Sequence, residues 1–508
     1  MEETKQTKKF DAKLLLFTTL LISICSIIYE LIISSLSSYL QGDSITQFSI
    51  TIGLYMCAMG IGSYLSKYIK EKLFNKFIFI EISVGILGGF SSLVLFLANI
   101  YTNIYELIMY VLIILIGIFV GLEIPVLTRI IEDNESNVRK NLANIFTFDY
   151  IGGLIGSILF PLILFPKLGF ITTTLLVGSM NIIVSLLIVF KYKNYIQNYK
   201  KVKLLSLMCL IIILCFLFTG DMIAKNIEKG LYRDDVILSE QTPYQKIVMT
   251  KHKDDTRLFL DGNLQFSTSD EYRYHEALVH IPMMYAPTHK RVLILGGGDG
   301  LAAREVLKYD DVEEIVLVDI DKQMTDLCTN NNEIAKLNEN SLKNPKLKII
   351  NEDAYIYLQE NQEKFDVIII DFTDPNNETL NKLYTNVFYN YVKANMNENA
   401  VMVCQSTSPY YAKKSFWCIN KTIKTQFNNV LPYHLQVPTF GEWGFNLAFD
   451  GENKRNKLEV ETKYLTEKNI DSMFTFGKDE TVNLEDIEVN SIFKPSLITY
   501  YNEEVQNW

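Results

Sequence analysis

Hydrophobic positions along the chain follow two different rhythms. Up to residue 220 they form long runs broken only by short polar loops, whereas from about Asp235 they form runs of four to six between turns and amphipathic stretches. A hydrocarbon core about 30 Å thick takes roughly 20 residues of helix. Runs of about that length cover residues 14–40, 48–67, 77–100, 105–131, 146–165, 169–190 and 202–218. A multi-pass helical membrane domain of about seven spans, set in a lipid bilayer, is therefore expected over residues 1–220. The first run is too long for a cleavable signal peptide, lacks a small-residue cleavage site and precedes further spans. Gly117 with Gly121, and Gly152 with Gly156, have the spacing that lets helices approach closely. Glu30, Glu81, Glu123 and Asp149 lie within the runs, where an ion facing lipid is costly, so they are expected inside the bundle or at its interface, as interhelical glue or along a cation path.

The second half opens with short alternating stretches at 245–250 and 257–260, followed by the turn Asp261-Gly262-Asn263. These read as hairpins of a small β subdomain over residues 235–290. Val292 to Leu295 is short enough for a buried parallel strand, and it leads directly into Gly296-Gly297-Gly298-Asp299-Gly300 and a helical stretch from Leu301. Strand, glycine turn and helix open a doubly wound α/β nucleotide fold, here over residues 291–450. Three more strands end in acids: 314–318 at Asp319, 348–350 before Asp353-Ala354, and 365–370 at Asp371-Phe372-Thr373-Asp374-Pro375. Carboxyl ends of strands in such a sheet share one crevice, so these acids are expected to converge. Residues 451–508 form a polar, weakly patterned extension to which the sequence assigns no chemistry.

Charge sharpens the division. Residues 1–220 hold 17 Lys and Arg against 13 Asp and Glu, a net +4, and the remainder holds 31 against 45, a net −14. With 49% hydrophobic and 21% charged residues the chain is neither disordered nor collagen-like, and its acidic half excludes a basic nucleic-acid binder. Seven widely spaced cysteines, four of them in the apolar runs, read as reduced thiols rather than a disulfide framework. No CxxC pair or Cys/His cluster at zinc-ligand spacing is present, and no structural metal is expected. Lys5, Lys8, Lys9 and Lys13 precede the first run, and basic residues fill loops 67–76, 129–140 and 191–203, while the first and third loops carry none. The positive-inside rule thus puts the N-terminus in the cytoplasm. Seven crossings would put the acidic half outside, against its thiols and its chemistry: either one run is re-entrant or two-part, or the rule fails here.

A glycine loop alone suits NAD enzymes, flavoproteins and methyltransferases equally. Asp299 inside the loop would repel a pyrophosphate or a methionine carboxylate and would hold an ammonium in that place; alternatively it is an acid stabilised by the start of a helix. At this point the chain resembles the spermidine synthase family, the polyamine aminopropyltransferases, in its bacterial branch with an N-terminal multi-spanning domain. The resemblance runs from Pro243 to about Asp450 through Tyr244-Gln245, Leu260-Asp261-Gly262-Asn263-Leu264-Gln265, Asp270-Glu271-Tyr272-Arg273-Tyr274-His275-Glu276, the glycine loop and Asp371 to Pro375. It implies a methyltransferase-like catalytic domain that transfers an aminopropyl group from decarboxylated S-adenosylmethionine, a co-substrate, to putrescine or a similar diamine, giving spermidine and methylthioadenosine with no cofactor. It further implies nucleotide binding by Gly296, Gly298, Asp319, Asp353 and Ala354, and donor contacts from Gln245 and Asp299. Tyr274, His275 and Asp374 would line the amine channel with Gln265 nearby, Asp371 would be the base, and the soluble domain would form a homodimer.

Departures from the family pattern are Leu301 after the glycine loop, Asp319 where Glu is frequent, and Phe440 or Trp443 as the aromatic wall of the amine pocket. Two other readings stand beside this one. The first is a membrane-anchored methyltransferase using intact S-adenosylmethionine, which Asp299 disfavours; the second is a polyamine transporter or sensor whose soluble half only binds ligand.

Overall fold

The computed structural model describes residues 13–41, 44–134, 138–232 and 234–505; Lys5, Lys8 and Lys9 of the basic N-terminal cluster lie outside them. Two compact units emerge, residues 1–236 and 237–508.

The first unit is all helix: α1 (Lys13–Gln41), α2 (Ser44–Leu65), α3 (Leu73–Gly89), α4 (Ser91–Tyr101), α5 (Tyr105–Glu132), α6 (Val138–Leu159), α7 (Phe165–Lys191) and α8 (Tyr199–Tyr232). Every apolar run of the sequence is helical, and two of the seven runs join into one stretch. Among the described residues five helical stretches are long and apolar enough to cross a membrane, or six with α3 and α4, which bend by 41° at Phe90, taken as one. The joined runs lie at residues 139–191, a continuous stretch of 53 residues in which α6 passes through a π-helical turn, Phe160–Leu164, into α7. Pro161 has no N–H for the ladder there, and at Gly169 the backbone takes φ 67° and ψ −173°, a region open only to glycine, so the stretch breaks at that point.

Glycines set the helix contacts. A Cβ on Gly121 would sit 2.1 Å from the carbonyl oxygen of Met59 in α2, and one on Gly152 2.5 Å from that of Leu20 in α1. Both GxxxG spacings therefore serve packing. Of the four acids within the apolar runs, Glu81 and Glu123 are buried, at 0% and 3% exposure. Asn181 Nδ2 donates to Glu81 Oε2 at 3.0 Å and Tyr29 Oη donates to Asn181 Oδ1 at 3.0 Å, a polar chain linking α1, α3 and α7.

The second unit holds two sheets. Four antiparallel strands, β1 (Asp235–Gln241), β2 (Lys246–His252), β3 (Asp255–Leu260) and β4 (Asn263–Ser267), pair in sequence order. Asp261 and Gly262, at φ 48° and 83°, make the two-residue turn between β3 and β4. The larger sheet has seven strands in the order β10-β11-β9-β8-β5-β6-β7. Its parallel core is β5 (Arg291–Gly296), β6 (Glu314–Val318), β7 (Leu347–Ile350), β8 (Phe365–Asp371) and β9 (Met396–Gln405), and β10 (Asn429–Val437) with β11 (Gly441–Phe449) closes one edge antiparallel. This is a doubly wound Rossmann-like sheet whose order reverses between β5 and β8, where ligands bind in such folds. Val292, Leu293, Ile294, Leu295 and Val367 to Ile370 are all fully buried, as strands covered on both faces must be. The C-terminal extension packs on this unit: Glu276 accepts the backbone N–H groups of Lys463, Tyr464 and Leu465 at 2.5, 2.9 and 2.9 Å.

Replacing Gly121 by valine is expected to destabilise the helical unit by about 1–3 kcal/mol through overpacking against α2. Gly60, where a Cβ would meet nothing within 4 Å, is the control: Gly60→Val should leave thermal unfolding of the detergent-solubilised protein near that of the wild type, and Gly121→Val should lower it.

Candidate active site

The site is assembled where the carboxyl ends of β5, β6, β7, β8 and β9 lie side by side. Gly296 is the register partner of Asp371 in β8, and the next residue's N–H bonds back to the Asp371 carbonyl at 3.2 Å. Gly296 adopts φ 81°, and a Cβ there would lie 2.2 Å from that carbonyl oxygen, so the loop can turn this close to β8 only as glycine. Gly298 is required for a different reason: its N–H bonds to Asp319 Oδ2 at 3.1 Å, and a Cβ would strike the same oxygen at 2.5 Å.

Asp371 and Asp374 stand at the centre, both retaining some exposed surface. Tyr274, on the helix Glu271–Tyr285, donates its hydroxyl to Asp371 Oδ1 at 2.6 Å. Burial pushes the Asp371 carboxyl up to about 6 against the opposing pull of charged His275, with Asp299 adding to the rise and the Tyr274 bond opposing it. Burial likewise lifts Asp374 to about 6, while hydroxyl and amide donors from Tyr501, Gln405 and Thr407 pull it down. Gln405 Nε2 approaches Asp374 Oδ1 at 3.5 Å and Tyr501 Oη donates to Oδ2 at 3.0 Å.

The acids are steadied from below. His275 Nδ1 meets Glu271 Oε2 at 2.9 Å, and Glu271 in turn takes a two-pronged contact from Arg304, both bonds 2.9 Å. Burial disfavours a charged His275, but the hydrogen bond and charge of Glu271 outweigh it and lift its pKa to about 9; Asp299 and Asp371 add to the lift. A positive charge buried at 1% exposure thus lies within electrostatic reach of two site carboxylates. In Asp299, one residue before the Gly300 N-cap of the helix Leu301–Val306, Oδ1 accepts the N–H of Leu301 at 2.8 Å, and Oδ2 carries no hydrogen bond among the described residues.

The spermine/spermidine synthase domain model matches residues 271–460. A polyamine aminopropyltransferase of Leptospira interrogans serogroup Icterohaemorrhagiae serovar copenhageni is 43% identical over 96% of this chain and 98% of its own length. The chain belongs to the polyamine aminopropyltransferase family. A second relative of that name, from Oceanobacillus iheyensis, is 38% identical with 98% of both chains covered. A spermidine synthase solved with the transition-state analogue AdoDATO aligns at a TM-score of 0.45 and 30% identity over 48% of this chain and 85% of that one.

As a polyamine aminopropyltransferase the chain is a transferase, and the residues expected from sequence fall in three groups. Asp299, Asp371, Asp374 and Tyr274 gather at the strand ends with Gly296 and Gly298. His275 sits beneath them in the ionic cluster. The nucleotide-side acids already have partners: Asp319 Oδ1 accepts the N–H of Asp321 at 2.8 Å, and burial raises Asp319 to about 6. Asp353 caps the helix Ala354–Glu360 through the Tyr355 N–H at 2.9 Å and pairs with Lys382 at 2.6 Å. Gln245 donates to Asp321 Oδ2 at 3.0 Å beside Thr242 at 2.8 Å, while Gln265 bonds to the Asn263 carbonyl of its own hairpin at 3.2 Å. Between the two candidate aromatic walls, Phe440 is the one that meets Tyr274, at 6.0 Å between ring centroids, and Trp443 packs on Phe440 at 5.2 Å.

Sequence reasoning missed Gln405, which the rule of acids and amides at strand ends could have found, and Tyr501, which no local signal marks. One histidine joins two acids in space. Among the described residues His434, Glu442 and Glu480 come within 4.8 Å of one another, but His434 spends its ring nitrogens on Glu442 and on the Thr475 carbonyl, as an ion pair does.

The charge on His275 makes stability pH-dependent. Its folded pKa of about 9 exceeds the unfolded value of about 6.5, so its contribution is complete below pH 6.5 and is lost as pH rises towards 9. Thermal unfolding of the wild type should weaken over that window by up to about 1.4 kcal/mol per pH unit relative to His275→Gln, which lacks the titration.

Proposed function

We propose that this polyamine aminopropyltransferase transfers an aminopropyl group from decarboxylated S-adenosylmethionine to a putrescine-like diamine, giving spermidine and methylthioadenosine. The observation that carries the reading is the pair Asp371 and Asp374: two adjacent carboxyls at one strand end, held by neutral donors and joined to no cation by an ion pair among the described residues. A diamine is doubly protonated at neutral pH, with amine pKa values of about 10, as for lysine. One nitrogen must give up its proton to attack, and the other must stay charged to be held. Asp371 takes the proton of the attacking nitrogen and Asp374 holds the distal ammonium. The free amine attacks the carbon beside the sulfonium, the N–C bond forms as the C–S bond breaks, and methylthioadenosine leaves with the electron pair on sulfur. The sulfonium is already a good leaving group, so alignment and proton removal supply the catalysis.

The donor's place follows from the same geometry. Asp299 Oδ2 meets the donor's ammonium, on the carbon that in intact S-adenosylmethionine also carries a carboxylate; repulsion of that carboxylate favours the decarboxylated nucleotide over a methyltransferase's substrate. Asp319 takes the ribose hydroxyls and Asp353 with Ala354 the adenine side, Gln245 supports that edge through Asp321, and Tyr274 and Phe440 wall the amine channel. His275 serves as a buried charge under the channel, and Gln265 flanks it from the hairpin. As for cellular placement, the helical unit spans the cell membrane and the catalytic unit faces the cytoplasm, where the donor nucleotide is made. Six crossings satisfy this placement and the basic loops 67–76 and 129–140, and leave the basic loop 191–203 on the other side.

Two measurements test these statements. Product analysis with decarboxylated S-adenosylmethionine and putrescine should yield spermidine, with an acid limb near pH 6 from Asp371; Asp371→Asn, which keeps the shape but cannot take the proton, should slow turnover by about 10² to 10⁴ while nucleotide binding persists. Turnover close to wild type would sink the assignment of the base. Separately, a cysteine introduced in the 451–456 stretch should resist an impermeant thiol reagent in intact cells, and efficient labelling would mean that the catalytic unit lies outside.

A further inference from the structure

One bond to Asp374 comes from far outside the region matched by the family's domain model. Tyr501 lies on the C-terminal helix Ser496–Val505, and its hydroxyl donates to Asp374 Oδ2 at 3.0 Å. That helix is anchored on both sides of the tyrosine. Leu497 is fully buried and its N–H bonds to Asn490 Oδ1 at 3.3 Å. Glu504, three residues beyond Tyr501 and so on the same helical face, accepts from Lys414 N at 2.7 Å, Ser415 N at 3.2 Å and Ser415 Oγ at 3.0 Å. Those donors are the first turn of the helix Lys413–Ile423, where an anion meets the positive end of the helix dipole. The phenol is therefore positioned by a clamp, with little freedom to swing away from Asp374.

We propose that Tyr501 is a specificity-determining residue that closes the distal end of the acceptor channel and restricts the enzyme to short diamines. The proposal rests on the assignment of Asp374 to the distal ammonium. A hydroxyl that donates to a carboxylate keeps its own oxygen lone pairs free, and an ammonium has three hydrogens to give. One ammonium can thus bond to Asp374 and to the Tyr501 oxygen together, which makes the tyrosine part of the binding site. A longer polyamine would have to continue its chain past Asp374 through the space the phenol ring fills, and the clamp at Glu504 keeps the ring there.

Steady-state kinetics of the full-length enzyme with putrescine and with spermidine as acceptors test this. Tyr501→Phe keeps the ring and its packing and removes only the hydroxyl; it should raise KM for putrescine about 10-fold and leave KM for decarboxylated S-adenosylmethionine within about twofold, as for one hydrogen bond to a charged group. Tyr501→Ala opens the channel end and should raise the ratio of kcat/KM for spermidine over putrescine by about 10-fold or more. Glu504→Gln, which touches neither Asp374 nor the acceptor, should move that ratio in the same direction by less. A purely structural tyrosine would lower thermal stability and leave both the putrescine KM in Tyr501→Phe and the acceptor ratio unchanged, and that result would overturn the proposal. If Tyr501→Ala does not fold, Tyr501→Phe decides alone. Failure of the wild type to use any diamine would overturn the assignment of Asp374 itself, and the role of Tyr501 with it.

Discussion

Three carboxylates crowded at one end of a parallel sheet repel one another, and the arrangement of this site depends on a buried positive charge that offsets the repulsion. His275 supplies it, within electrostatic reach of Asp299 and Asp371. A lone imidazole this deeply buried would be neutral. Glu271 keeps it charged, and Glu271 itself is held far below the usual carboxylate range, at about 2: burial works against it, but His275 and Arg304 prevail. Glu305 extends the cluster, joining Arg304 at 2.9 Å and His280 at 2.9 Å. Replacing a whole buried ion pair by apolar residues can be neutral, but removing one partner strands the other, commonly at 3–5 kcal/mol. Core stability and the electrostatics of the site are thus coupled at Glu271: the carboxylate that neutralises Arg304 in the core is the one that keeps His275 charged near Asp299 and Asp371.

The helix Glu271–Tyr285 converts that cluster into geometry. Glu271 and His275 are four residues apart and so share a face, buried against the helix Leu301–Val306 that follows the glycine loop. Tyr274, one residue earlier than His275 and about 100° around the helix, points instead to Asp371. Adjacent residues of one sequence motif therefore bond in different places, the tyrosine to Asp371 and the histidine to Glu271. The family resemblance implies that both line the amine channel; in the structure the helical period turns the two side chains towards different partners.

What could be read from the sequence was what is local. Val292 to Gly300 carries strand, turn and helix start within nine residues, and each step has a steric cause that the coordinates bear out at Gly296 and Gly298. The acids ending β6 and β8 were visible for the same reason. The bond from Arg304 to Glu271 spans 33 residues and that from Tyr501 to Asp374 spans 127, and no periodicity announces either. The C-terminal extension, polar and weakly patterned, looked chemically silent because its contribution is a single hydroxyl placed by a clamp. The apolar runs of the first unit gave helices, and the two runs separated in the sequence at residues 166–168 join in the structure through the π-helical turn at Pro161 and the break at Gly169.

The two units bury acids by opposite means, and the difference bears on where amine chemistry can occur. In the catalytic unit, buried Glu271 and Glu305 are matched by Arg304, His275 and His280. In the helical unit, Glu81 is met by the neutral amide of Asn181, which is itself held by the neutral hydroxyl of Tyr29, and one oxygen each of Glu81 and Glu123 has no partner among the described residues. A chain of neutral dipoles across three helices does what interhelical glue requires, since each polar group in an apolar bundle gains by finding another. It supplies no fixed charge to balance a migrating proton or a developing amine. The crevice at the ends of β5 and β8 has such a charge in His275, and free carboxylate oxygens to face the substrate, so the separation of labour between the units follows from their electrostatics as well as from their folds.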